Sequence, residues 1–305
     1  MMHVILRNFF LFLSKNQILN RGARKWGLKL GASQVVAGET ISKAMNAVRG
    51  LNEKGLVCTV DHLGEFVKTE DEAAESTEYC IRTLNAIAKT GVNCNLSLKL
   101  TQLGLDVEPQ LCYENMKNIL TYAKKHDIFV RIDMEDYSHC QQTIDILEKL
   151  RREYDGLVGT AIQAYLYRAL DDVKKLQGVN LRLVKGAYRE SPEVAFQKKD
   201  EIDDNYLKII KQHLRSGSYT AVATHDHQII EKVKDFCREE KIAKTQFEFQ
   251  MLYGFRTDLQ EQIAKEGYTM RIYVPYGKDW YGYFMRRLAE RPQNVSFALR
   301  GFFSK

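Results

Sequence analysis

Four groups of residues in this chain have the types and spacing to do chemistry. In the stretch 182–189, Arg-Leu-Val-Lys-Gly-Ala-Tyr-Arg, two cations, Arg182 and Lys185, precede Gly186. A glycine there permits a positive φ or a close approach of backbone to a ligand. Arg182 and Lys185 bring positive charge to a strand end beneath it, and a surface loop with a salt-bridged arginine is the plainer alternative. Arg286 and Arg287 are adjacent in 283–290, which reads as a helix ending before Pro292. Neighbouring arginines ordinarily make a solvated helix face, but turned toward a pocket they can fork onto a carboxylate. Lys99 and Lys185 are candidates for a Schiff-base lyase if surrounding cations lower the pKa of either amine. His225, Asp226 and His227, with Asp133 and Glu135, have a spacing that zinc accepts, against the commoner use of loop histidines in hydrogen bonding.

The elements that must position these groups alternate along the chain. Short apolar, β-branched runs at 56–60, 94–99, 128–133, 158–163, 181–185, 220–224, 245–250 and 269–274 read as eight strands. They are nearly continuous in hydrophobicity, as parallel strands buried on both faces are. Between them, 70–89, 112–126, 138–154, 192–216, 228–241 and 258–266 carry the 3.6-residue period of helices. An open sheet binding a dinucleotide would show a glycine fingerprint after its first strand, and neither that nor a phosphate-binding Walker motif occurs. Eight strands with intervening helices then favour a closed (β/α)8 barrel. The division expected is an N-terminal helical extension over 1–50 and the barrel over 51–305.

In such a barrel, catalytic groups sit at the C-terminal ends of strands. Those positions here hold Asp61 and Glu65, Lys99, Asp133 and Glu135, Gln163, Arg182 and Lys185, Thr224 to His227, Gln250 and Tyr273. A barrel used only for binding or scaffolding has no reason to load nearly every strand end with polar groups. The chain reads as an enzyme.

Composition narrows the class. The 305 residues are 45% hydrophobic and 28% charged, an ordinary globular balance, with a formal charge of +6 spread over helices that also carry acids. No basic stripe points to nucleic acid. Six cysteines without a CxxC pair read as buried thiols of a reducing cytoplasm. Residues 4–13 are apolar but interrupted by Arg7 and Asn8, too short to span a bilayer. They read as an amphipathic helix, packed on protein or lying on an anionic membrane surface.

The segments 95–104, 130–136, 159–165, 182–190, 223–226, 248–254, 271–277 and 283–290, one per strand end and in this order, resemble the consecutive motifs of the proline dehydrogenase family, in its monofunctional bacterial form. The resemblance implies a distorted (β/α)8 TIM barrel that oxidises L-proline to 1-pyrroline-5-carboxylate with FAD, and a quinone that reoxidises the flavin during peripheral visits to the inner face of the cell membrane. It implies that Asp133 and Arg182 are catalytic. Lys99, Arg286 and Arg287 would hold the substrate carboxylate, while Leu252, Tyr273 and Tyr283 wall its ring. Met134, Gln163, Arg182, Val184, Lys185, Gly186, Thr224 and His225 would hold FAD, and Glu65 would pair with Arg286 as a gate. No metal is implied. The base that takes the substrate's amine proton does not emerge from the motifs.

Overall fold

A computed structural model of the protein describes residues 32–64 and 67–290. Eight parallel strands close into a barrel in chain order: β1 (Val57–His62), β2 (Cys94–Leu98), β3 (Val130–Ile132), β4 (Val158–Gln163), β5 (Leu181–Val184), β6 (Thr220–Ala223), β7 (Phe247–Leu252) and β8 (Thr269–Tyr276). Closure is the β1–β8 ladder, which runs from Val57 beside Arg271 to His62 beside Tyr276. A helix, α1 (Ile41–Asn52), precedes β1. Each strand is then followed by one helix: α2 (Glu70–Thr90), α3 (Pro109–Lys125), α4 (Tyr137–Tyr154), α5 (Ala169–Lys175), α6 (Lys199–Arg215), α7 (His227–Glu239), α8 (Thr257–Lys265) and α9 (Trp280–Glu290).

Local chemistry accounts for the boundaries. The Thr69 hydroxyl caps α2 by accepting the Glu72 N–H at 3.2 Å, and Gly91 ends it in the left-handed conformation at φ 64°. Pro109 opens α3, where its missing N–H costs nothing. Gly277, at φ 128°, turns the chain between β8 and α9 and donates its N–H to Gly38 O at 2.9 Å.

Three elements depart from the sequence reading. The helix expected over 192–216 starts only at Lys199. The residues before it spend their hydrogen bonds on the loop after β4, with Tyr167 N–H on Val194 O at 3.0 Å and Phe196 N–H on Tyr165 O at 2.8 Å. α5 is a seven-residue helix too short to show a clear period. The division drawn at residue 50 falls inside α1, whose Ala44, Met45 and Val48 are buried in the barrel's hydrophobic core. Residues 4–13 lie outside the described residues.

Strand side chains alternate between two environments. One set, including Cys58, Val60, Leu96, Leu98, Val130, Ile132, Leu181, Leu183, Phe247, Phe249, Ile272 and Val274, is buried in the core shared with the helices. The alternate set meets across the barrel axis and is strongly polar. Near the N-terminal ends, the Arg271 Nε–H is shared between the two Glu248 carboxylate oxygens, at 2.8 and 3.0 Å, and Glu248 also accepts from Tyr219 at 2.9 Å. Burial pushes the Glu248 carboxyl up, but Arg271 outweighs it and holds the group below its ordinary value. The Arg131 guanidinium turns down to Thr160 O and Asn180, and burial lowers it to about 9. Gly159 makes that room, because a Cβ there would lie 2.1 Å from Asn180 O.

Candidate active site

The second polar layer, toward the C-terminal mouth, brings several of the sequence candidates together. Register sets Asp61 of β1 beside Ser97 of β2, and the next inward positions supply Lys99 and Asp133. Leu252 of β7 pairs with Tyr273 of β8, and Ala161 of β4 with Arg182 of β5. Arg182 is the hub. Its guanidinium bonds Asp133 Oδ1, donates to Ser97 Oγ at 3.1 Å, and donates from Nε to Gln250 Oε1 at 2.6 Å. It also lies over the Tyr273 ring, 5.2 Å from the centroid. Asp133 takes Ser97 Oγ at 2.9 Å on the same oxygen. Its other oxygen stands 2.7 Å from Tyr273 Oη and 3.8 Å from Lys99 Nζ. Lys99 Nζ reaches Asp61 Oδ2 at 3.1 Å, and Tyr273 Oη lies 2.7 Å from that same oxygen.

The charges of this layer are set by burial and pairing together. Burial pushes the Asp133 carboxyl up, yet Arg182 and then Lys99 outweigh it and hold Asp133 below the ordinary carboxylate value. Asp61 goes the other way. Burial raises its carboxyl, and Lys99 does not fully offset that. Two carboxyls one phenol apart are thus driven in opposite directions, as at sites built for proton chemistry.

The remaining candidates surround this layer. Gln163, 3% exposed, gives its amide N–H to Glu135 O at 2.8 Å. Met134 and Thr224 are buried, and Thr224 Oγ1 accepts Asp226 N–H at 3.1 Å. Leu252 N–H donates to His225 Nε2 at 3.1 Å, so that ring nitrogen is an acceptor in the loop rather than a ligand pointed at an ion. Among the described residues no group of three or more His, Cys, Asp or Glu side chains is placed to hold a metal. Val184 is half-buried at the end of β5. Gly186 takes φ 121°, and a Cβ there would meet the Tyr165 ring at 2.3 Å, so only glycine fits. Lys185 is held by two carboxylates, Asp203 and Asp226, the latter at 3.3 Å. Carboxylates flank both lysines, rather than the apolar walls or neighbouring cation that activate a Schiff-base amine, which counts against that reading.

Tyr283 is buried, and the Arg287 guanidinium lies 5.0 Å above its ring on α9, which follows β8 at the mouth. Arg286 is half-buried on the same helix. Glu65 lies outside the described residues. Ser97 was missed by sequence reasoning although it stands two residues before Lys99, on the same face of a strand. Gln250, named at a strand end but given no role, bears the same relation to Leu252. Period-two spacing from a known site residue was the available signal.

An eight-stranded parallel barrel whose mouth holds a buried Arg–carboxylate–Lys–Tyr array has the form of an enzyme site for a small polar molecule. The Proline dehydrogenase family model matches residues 44–300, and the chain belongs to the proline dehydrogenase family. It is 52% identical to proline dehydrogenase 2 of Bacillus subtilis, over 99% of this chain and 100% of that one. It is 41% identical to proline dehydrogenase of Deinococcus radiodurans, over 91% of each. The solved structure of proline utilization A from Bdellovibrio bacteriovorus, inactivated by N-propargylglycine, superposes with a TM-score of 0.80 at 27% identity, over 90% of this chain. The chain spans only 34% of that longer protein. The activity is that of an oxidoreductase of proline catabolism, with proline as its small-molecule substrate.

Proposed function

We propose that the chain oxidises L-proline to 1-pyrroline-5-carboxylate with non-covalently bound FAD, and that a quinone reoxidises the flavin. The observation that carries this reading is the Arg182 hub, which ties Asp133, Ser97 and Gln250 into one rigid array at the mouth. The reaction removes a hydride from the ring carbon bonded to nitrogen, on the side away from the carboxylate, and a proton from the nitrogen, leaving a C=N bond. When bound, FAD would supply the two-electron acceptor for that hydride. The donor set fits such a group: a buried guanidinium at Arg182, the Gln163 amide, the Thr224 hydroxyl and a glycine backbone at Gly186 where no side chain fits. Arg182, preorganised by its three partners, stabilises charge that develops beside it without reorganising. Lys99, Arg286 and Arg287 fork onto the proline carboxylate, while Leu252, Tyr273 and Tyr283 enclose the ring and exclude water. Met134, Val184, Lys185 and His225 complete the cofactor cradle. For Lys185 this means exchanging a carboxylate partner for a phosphate. Glu65 closes the site by pairing with Arg286.

The membrane part of the reading rests on residues 4–13 and the net charge of +6. No described helix is long and apolar enough to cross a bilayer, so contact would be peripheral. The test is spectroscopic. Purified protein should be yellow, release its flavin into the supernatant on heating, and bleach under anaerobic proline. N-propargylglycine should abolish that bleaching. Colourless, freshly expressed soluble protein that cannot be loaded with FAD would refute the cofactor, and a flavin that proline does not reduce would refute the substrate. Failure of reduced protein to bind anionic vesicles, or to pass electrons to a soluble quinone, would refute the acceptor.

A further inference from the structure

Tyr273 Oη stands 2.7 Å from Asp61 Oδ2 and 2.7 Å from Asp133 Oδ2. Both separations are hydrogen-bonding distances for oxygen pairs, and each needs a proton between its two oxygens. A phenol carries one proton. With both carboxyls ionised, one of these contacts would set a phenol lone pair against a carboxylate lone pair in a buried site, at 1% exposure for Asp61 and 9% for Asp133. Two protons shared among the three oxygens would satisfy both contacts at full strength, where one phenol proton split between them would serve each weakly.

The surroundings decide where the second proton resides. Asp133 is an anion's site: it takes the Arg182 guanidinium and the Ser97 hydroxyl on one oxygen and faces Lys99 with the other. Asp61 has Lys99 on Oδ2, and its Oδ1 is buried without a hydrogen-bond partner. An ionised carboxylate spreads charge over both oxygens and wants donors on both, whereas the carbonyl oxygen of a neutral acid tolerates isolation better. The other titratable and charged groups described around Asp61 are the Cys80 thiol on α2, Tyr276 on β8 and, beyond Asp133, Arg182 on β5. None but Lys99 offers a cation directly. Tyr273 itself is not the anion, because burial drives its phenol well above its ordinary value.

We propose that Asp61 is a neutral carboxylic acid in the resting enzyme, donating its proton to Tyr273 Oη while Tyr273 donates to Asp133, so that Asp61 acts as a positioning residue for the tyrosine. The arrangement has an electrostatic consequence that rests on the proline reading above. Among the described groups of this layer, Lys99 and Arg182 face the anion Asp133. Ionising Asp61 would put a second carboxylate on Lys99 and weaken its attraction for an incoming carboxylate. The chain Asp61–Tyr273–Asp133 also fixes the phenol's orientation against the substrate ring.

The test uses the holoenzyme and two readouts. In infrared spectra at neutral pH without substrate, wild-type protein should show a deuterium-sensitive C=O band of a buried carboxylic acid. The band should be missing from Asp61→Asn, shifted in Tyr273→Phe, and lost from the wild type on titration to alkaline pH. In kinetics, Asp61→Ala should raise KM for proline at least tenfold and Asp61→Asn should recover most of that, because an amide presents an N–H to Tyr273 where the acid presents an O–H. The wild-type KM should rise on the alkaline side as Asp61 ionises, and this rise should be absent from Asp61→Asn, the titration of the substrate amine being common to both. No acid band in wild type, or an Asp61→Asn enzyme as impaired as Asp61→Ala, would overturn the assignment. If the asparagine variant does not fold, the wild-type band and its Tyr273→Phe shift decide alone. The band needs no turnover, so an enzyme that shows it but leaves proline untouched would refute the substrate and not the proton.

Discussion

Replacing Arg182 with methionine removes the hub of the mouth and should be expensive in a way the geometry sets. Arg182 is 5% exposed, and its loss leaves Asp133 buried with only Ser97, Tyr273 and a lysine 3.8 Å away. A charge-assisted bond to a buried carboxylate contributes about 1.5–3 kcal/mol, and an acceptor left unsatisfied, here Gln250 Oε1, costs about 1–3 kcal/mol more. The total agrees with the roughly 3–5 kcal/mol lost when one partner of a buried ion pair is deleted. At about 2–4 °C per kcal/mol for a chain of this size, Tm should fall on the order of 10 °C. The pH dependence gives a sharper signature. In the native protein Asp133 is held below its ordinary value, so it contributes stability above that value and the contribution is lost as pH falls through the lowered one. Without Arg182, burial dominates, the carboxyl rises, and Asp133 folds protonated at mildly acid pH. The deficit of Arg182→Met should therefore shrink from pH 7 toward pH 4. Adding Asp133→Asn to Arg182→Met should recover much of the loss at pH 7, since a neutral amide is left where an anion was stranded. Urea denaturation of the four members of this cycle, across pH, is the assay. A single variant within about 1 kcal/mol of wild type, or a double variant no better than Arg182→Met, would refute the account.

Other outcomes follow from the same layer and its surroundings. Arg287→Met should raise KM for proline roughly ten- to a hundredfold, the loss of about 1.5–3 kcal/mol from one charge-assisted bond, and an unchanged KM would remove Arg287 from the carboxylate clamp. Gly186→Ala should lower Tm and the flavin retained through gel filtration, because the residue holds φ 121° against the Tyr165 ring. Gly178→Ala, at φ 81° with nothing within 4 Å of its Cβ, is the control that should cost only the backbone term and retain flavin. His139 lies between Asp136 at 2.6 Å and Asp106 at 2.9 Å, and although burial lowers it, these carboxylates win and raise it above 6.5. Its stabilisation is full below that value and lost as pH rises through the raised one, so His139→Gln should flatten the fall of Tm as pH rises above the ordinary histidine value. An unaltered slope would show that the pair carries no stability.

Much of this was legible in the order of residues. Near-continuous apolar runs separated by helical periods require parallel strands covered on the outside, and eight of them close a barrel. Placing Lys99, Asp133, Arg182 and Tyr273 at strand ends followed from counting along those runs, because side chains two residues apart share a face and register carries that face around the barrel. The sequence could not decide what lies opposite what across the axis. Hydrophobicity of the runs masks the inward half of each strand, where Arg131, Glu248 and Arg271 form a charged layer that no linear pattern announces. Arg182 and Asp133 are 49 residues apart, and Tyr273 and Asp61 are 212 apart. Only the closure of β1 on β8 brings a phenol between two carboxyls. Whether Asp61 is an acid or an anion depends on burial and on which cations reach it, and both are properties of distances that exist only in the folded chain.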